Sequence, residues 1–74
     1  MLSRQRFTEI VGKNIKKERS KQNLSQNELA AMCGFANTYI NLIETAKRSP
    51  SSYSLYRIAK ALQVPVDLLF PTTV

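Results

Sequence analysis

A length of 74 residues allows one small domain, and we expect residues 1–74 to form it. The net charge of +6 and the pI near 9.9 favour an acidic partner, first nucleic acid and second an anionic membrane surface. The absence of histidine and the single cysteine, Cys33, exclude a structural zinc site within one chain and an internal disulfide. With no apolar run near the roughly 20 residues that span a bilayer and no apolar signal core, we expect a cytoplasmic protein.

The first predicted helix is basic and amphipathic. Phe7, Ile10, Val11 and Ile15 recur at helical spacing, with arginine and lysine between them, and the helix is expected to end near "KQN". A helix of this kind can also lie on a membrane surface. We favour the core for its apolar stripe, because so small a domain needs the stripe to cover its interior.

The second predicted helix begins with the capping-box pattern "SQNE". Ser25 is placed as N-cap, and Gly34 is placed where a helix needs a left-handed C-terminal residue. The helix therefore covers about residues 25–33. Its inner face is expected to consist of Leu29, Ala30 and Met32.

A third helix is predicted to start at about Asn37 and to turn Ile40 and Ile43 inward. Residues at i, i+1, i+4 and i+5 share the opposite face. That outer face consists of Asn37, Thr38, Asn41 and Leu42.

The remainder of the chain predicts two more helices. "KRSPSS" is a loop, and residues 52–62 form a fourth helix with an apolar stripe. "PVDLLF" predicts a short fifth helix that Pro71 ends. Strand-like alternation is absent, so the fold class is all-α with five short helices in one compact domain.

Two short helices joined by a tight glycine turn describe a helix-turn-helix, at about residues 25–45. Amide and hydroxyl groups both donate and accept hydrogen bonds, which suits the base edges of the major groove. Residues 25–46 contain no lysine or arginine, whereas both flanking segments are basic. This pattern favours base reading by the third helix and phosphate contacts by the flanks.

The stretches "LSQNELA", "CGFANTYINLIE", "KRSP" and "RIAKALQVPVDLLF" together resemble the Cro- and phage-repressor-like (Xre-type) DNA-binding family, from about Phe7 to Phe70. "NTYINLIE" and the chain length are most similar to controller proteins of restriction–modification systems. The resemblance implies a lambda-repressor-like domain that regulates transcription, binds a palindromic operator in double-stranded DNA as a homodimer, and controls its own promoter. It implies no cofactor and no small-molecule ligand, and it adds RNA polymerase as a further candidate partner.

The same resemblance implies roles for individual residues. Gln26 would bind a phosphate and brace the third helix. Lys47 and Arg48 would bind phosphates or base edges. Independently of the resemblance, side-chain chemistry predicts base contacts by Asn37, Thr38, Asn41 and Leu42, with Asn37 paired to adenine and Leu42 against a thymine methyl group. Tyr39 is expected to touch a phosphate with its hydroxyl.

Several of these residues have an alternative role that involves no contact with DNA. Asn37 would be only a helix cap, Tyr39 would pack its ring against the domain, and Leu42 would be a scattered exposed apolar residue. Thr38 and Asn41 would be ordinary exposed polar residues.

Three further expectations concern structure. Relatives pair an arginine of the first helix with a glutamate at the end of the third, which implies a partly buried ion pair between Arg19 and Glu44. Relatives usually have glycine where Ala46 stands, so this alanine either adopts a left-handed conformation or lets the helix extend. The apolar side chains that exceed the needs of one small core are expected to form the dimer contact: Val66, Leu69 and Phe70.

Catalysis is not expected, because the chain has no histidine, no glycine-rich phosphate loop and no paired carboxylates. The remaining alternative is a protein-interaction module, such as an antitoxin-like partner protein, whose third helix would bind protein.

Overall fold

Four α-helices and one 3₁₀ helix form the structure, a computed structural model that describes residues 1–71. The helices are α1 (Arg4–Lys21), α2 (Gln26–Cys33), α3 (Asn37–Glu44) and α4 (Ser52–Leu62), followed by the 3₁₀ helix Val66–Leu69. The described part contains no strand, so the all-α prediction is confirmed. The prediction of a fifth α-helix was wrong. Pro65 and Pro71 leave only a short segment between them, which is enough for one 3₁₀ turn.

Serine side chains begin three of the four α-helices. Ser3, Ser25 and Ser51 each accept a hydrogen bond from the backbone N–H three residues later. At α2 the predicted capping box is complete, since Glu28 also accepts a hydrogen bond of 2.8 Å from the Ser25 backbone N–H. That bond is the main reason why the pKa of Glu28 is lowered.

All four α-helices end at a residue with a left-handed backbone. The φ angles are 57° at Asn23, 76° at Gly34, 59° at Ala46 and 58° at Gln63. In each case the next backbone N–H bonds back to the last turn, as in a Schellman motif; after α3, the Lys47 N–H reaches the Leu42 carbonyl at 2.9 Å. Of the two alternatives for Ala46, the left-handed one is therefore correct, and the chain turns sharply before Lys47.

The core is formed by the inward faces of the helices. Val11, Ile15, Ile40 and Ile43 are fully buried, as predicted. Met32, expected on the inner face of α2, is 49% exposed, because α3 and α4 pack on the face that carries Leu29, Ala30 and Cys33 instead. The other buried apolar residues are Leu55, Ile58, Ala59, Leu62 and Leu69.

The 3₁₀ helix lies against α1. Asn14 donates a hydrogen bond of 3.1 Å to the Leu69 carbonyl, and the rings of Phe7 and Phe70 are 5.8 Å apart. Leu69 is 0% exposed, so it belongs to the core rather than to the surface expected to meet a second subunit. Phe70 is half-buried, and Val66 is 37% exposed.

Within residues 1–71, no helix combines the length and the apolar character that crossing a membrane requires.

Gly12 permits a close approach between α1 and the end of α3. A Cβ atom at this position would lie 2.5 Å from the Ile43 carbonyl oxygen and 3.1 Å from that of Glu44. Both obstacles belong to the backbone of α3 and cannot rotate away. The absence of a side chain at residue 12 therefore sets the distance between α1 and the end of α3.

Gly12→Ala is expected to lower the free energy of unfolding by about 1–3 kcal/mol, because the methyl group forces α1 away from α3. Helix propensity alone predicts the opposite sign, a gain of about 1 kcal/mol. Urea unfolding followed by circular dichroism measures the difference, and a stabilised variant would contradict the close approach.

Ala46→Gly is expected to raise the free energy of unfolding by about 0.5–1 kcal/mol, because glycine adopts the left-handed conformation without the Cβ clash. Ala31→Gly, on the exposed side of α2, is the matched control and should lower it by about 1 kcal/mol. Equal losses in both variants would show that residue 46 is not strained.

Candidate nucleic-acid interface

The outer face of α3 is polar and open to solvent. Asn37, Thr38 and Asn41 are exposed and Leu42 is half-buried, while the intervening isoleucines are in the core. Ala36 is the N-cap and makes no side-chain cap hydrogen bond, so Asn37 is the first residue of the helix and not its cap. The four predicted base-contacting residues therefore lie on one face of a helix that begins at a tight turn.

The turn between α2 and α3 is fixed by backbone and aromatic contacts. The Phe35 N–H bonds to the Ala30 carbonyl at 2.9 Å, and the Phe35 ring meets the Tyr39 ring edge-on at 5.0 Å. Ala30 is fully buried between the two helices. These contacts give α2 and α3 the arrangement of a helix-turn-helix.

The ion pair between Arg19 and Glu44 is present and bidentate. Arg19 Nε and Nη2 donate to the two carboxylate oxygens of Glu44 at 2.7 and 3.0 Å, and the side chains are only 12% and 2% exposed. Arg19 Nη1 also donates to the Leu24 carbonyl at 2.6 Å. Hydrogen bonding to Glu44 raises the pKa of Arg19, although the burial of the guanidinium by itself would lower that pKa. The pair joins α1 to the last residue of α3.

Gln26 contacts two residues of α3. Its Nε2 donates to Glu44 Oε1 at 3.0 Å, and its Oε1 accepts a hydrogen bond of 3.4 Å from Asn41 Nδ2. These contacts brace α3, as the family resemblance implied; the spacing of the residues alone did not indicate partners 15 and 18 positions away along the chain. Gln26, at the start of α2, therefore hydrogen-bonds two side chains of α3, one of them on its outer face.

Tyr39 packs its ring against the domain, and its contact with a phosphate stays a prediction. Its hydroxyl is 2.7 Å from Ser54 Oγ on α4, and the Arg48 guanidinium lies 5.6 Å from the centre of its ring. Ser54 is buried, and nothing in the sequence indicated it as a partner. Arg48 is thereby placed beside Thr38 and Leu42, with which it lines one groove.

Three cations lie next to the C-terminal end of α3. Lys47 and Arg48 are exposed directly after it, and Lys13 of α1 borders the turn at Thr45 and Ala46. The ion pairs within residues 1–71 involve Arg6, Arg19 and Lys21. In that part of the chain, Lys13, Lys47 and Arg48 therefore have no acidic partner.

Known proteins share both the sequence pattern and this geometry. A family model described as helix-turn-helix matches residues 15–69. The control protein C.BamHI of Bacillus amyloliquefaciens is 42% identical over 67 residues, which cover 88% of this chain and 83% of that protein.

Two solved structures have the same fold. The restriction–modification controller protein C.AhdI from Aeromonas hydrophila has a TM-score of 0.83 at 27% identity and covers 85% of this chain and 96% of its own. The P22 c2 repressor in complex with a synthetic operator has a TM-score of 0.79 at 30% identity, with 86% and 97% covered. The relatives are regulators and controller proteins, not enzymes.

Glu44→Ala is expected to lower the free energy of unfolding by about 3–5 kcal/mol, because it leaves Arg19 buried without its counter-charge. Glu9→Ala is the matched control. It removes the exposed pair with Arg6, whose side chains are 54% and 40% exposed, and should change stability by less than about 1 kcal/mol. Similar urea midpoints for the two variants would contradict a structural role for the buried pair.

Proposed function

The chain belongs to the Xre-like helix-turn-helix family of transcriptional regulators, and we propose that it binds a palindromic operator in double-stranded DNA as a homodimer. The single observation that supports this most strongly is the exposed polar face of α3, next to Lys13, Lys47 and Arg48, which have no acidic partner within residues 1–71. A helix fits the major groove, where amide and hydroxyl groups distinguish base pairs. Cations bind the phosphates on either side without reading the sequence.

The proposal assigns the residues to two tasks. Lys47 and Arg48 bind phosphates, and Gln26 does so with the N–H that Glu44 leaves free. Tyr39 holds Arg48 in place by stacking. The base contacts come from Asn37, Thr38, Asn41 and Leu42, with Leu42 touching a thymine methyl group.

A second copy of the chain is proposed to cover the groove between α4 and the 3₁₀ helix. This open groove of about 530 Å³ is lined mostly by apolar side chains, including Leu55, Tyr56, Val66 and Phe70. Leu69, which is buried in the core, does not take part in this contact. An isologous contact repeats one patch on both subunits, so the operator is palindromic, with half-sites about 34 Å apart.

The regulatory role proposed is that of a restriction–modification controller acting on its own promoter, with RNA polymerase as a further partner. The similarity to C.BamHI and C.AhdI supports it. In such a system the dimer concentration determines operator occupancy, because a weak dimer forms only as the protein accumulates.

Selection from a random duplex library tests the proposal. We expect an enriched inverted repeat that binds at least about 10³-fold more tightly than random DNA at physiological salt. Weak binding without sequence preference would contradict it and would redirect the search to a protein partner for α3.

Lys47→Ala and Thr38→Ala should affect binding differently. Loss of a phosphate contact should weaken binding to all sequences and reduce the salt slope of log K by about 0.9 per contact. Thr38→Ala should instead relax the preference at one position per half-site and leave the slope unchanged. Binding measured between low and physiological salt on operator and random duplexes separates the two, and identical behaviour would contradict the division of tasks.

A further inference from the structure

The groove between α4 and the 3₁₀ helix has charges of opposite sign at its two sides. Lys60 is on the α4 side, one helical turn after Tyr56, and both side chains line the groove. Asp67 is exposed on the 3₁₀ helix, where its sequence neighbour Val66 and the nearby Phe70 line the opposite side. The groove therefore has a basic rim at Lys60 and an acidic rim at Asp67.

Neither of these two charges is neutralised by an ion pair within residues 1–71. Both side chains are exposed. Lys60 Nζ lies 5.8 Å from the centre of the Tyr56 ring, a cation–π contact that keeps the ammonium group beside the groove without removing its charge. In the sequence, Asp67 is the only acidic residue after Glu44. The acidic rim therefore depends on a single carboxylate.

Two copies of the chain can place this groove face to face about a two-fold axis in two ways. When the axis runs along the groove, the rotation sets the basic rim of one copy against the acidic rim of the other. When the axis runs across the groove, each rim meets the same rim of the second copy, and like charges oppose association. The charges at the rims therefore favour the axis that runs along the groove.

We infer that Lys60 of each copy pairs with Asp67 of the other and that these two ion pairs determine the orientation of the homodimer; the inference rests on the proposed homodimer. An isologous contact forms every pair twice, so one lysine and one aspartate per chain supply both. The apolar groove provides most of the buried surface, whereas charges at the rim of a contact fix its register. The chosen axis also sets how the two α3 helices face the half-sites of an operator.

Reversing the two charges singly and together tests the pairing, with dimer dissociation constants measured by sedimentation equilibrium at low salt. Lys60→Glu sets carboxylates against each other, and Asp67→Lys does the same with ammonium groups. Each single variant should therefore dimerise at least about tenfold more weakly than the unmodified protein. The double variant restores both pairs with the charges exchanged, and its dissociation constant should lie within about threefold of the unmodified value.

Lys16→Glu is the matched control, because it makes the same change of net charge at an exposed position of α1. It should change the dissociation constant by no more than about twofold. Raising the salt concentration should weaken the dimers of the unmodified protein and of the double variant alike, since both contain the rim pairs.

Two results overturn the inference: single variants that dimerise as tightly as the unmodified protein, or a double variant that dimerises no better than the weaker single variant. An unmodified protein that stays monomeric at every concentration would instead show that the proposed homodimer itself is wrong, and the pairing with it. Thermal melting followed by circular dichroism checks that each variant is folded. Lys60→Gln and Asp67→Asn replace any unfolded variant, and each should weaken the dimer about threefold by removing both pairs without repulsion.

Discussion

The buried ion pair between Arg19 and Glu44 fixes the place of α3 in the domain. The α3 helix has eight residues, too few to be stable alone in water, so tertiary contacts determine where it lies. The backbone approach at Gly12 sets its distance from α1, and the bidentate pair sets its rotation about that contact. Removing two charges from water is costly, so the contribution of the pair is better understood as placement than as stability.

The placement of α3 explains the charge distribution along the chain. In the proposed DNA complex, cations on α3 itself would bind phosphates at any sequence, whereas the cations next to it would add affinity without competing for base edges. Lys47 and Arg48 are positioned by the left-handed turn at Ala46 and by the ring of Tyr39. The backbone turn that ends α3 therefore also positions the cations beside it.

Local signals predicted much of the fold. The capping box at Ser25, Gly34 and the apolar spacing gave the helix bounds to within a few residues, because these patterns act over one turn. Met32 and Leu69 were misplaced, because which neighbours cover a residue depends on packing between distant segments. The polar face of α3 was predictable from spacing alone. The family resemblance implied that Gln26 braces α3, but no local pattern indicated its partners Glu44 and Asn41 or the contact of Tyr39 with Ser54, since each joins residues fifteen or more positions apart.

The central claim is that the outer face of α3 meets the bases of duplex DNA. Chemical-shift mapping tests it most directly, with isotope-labelled protein titrated with the selected duplex and with a random duplex of equal length. We expect the largest differences between the two complexes at the backbone amides of Asn37, Thr38 and Asn41 and at the side-chain amides of the two asparagines, with smaller differences at Lys47 and Arg48. Differences confined to α4 and the 3₁₀ helix, with α3 unperturbed, would contradict the claim.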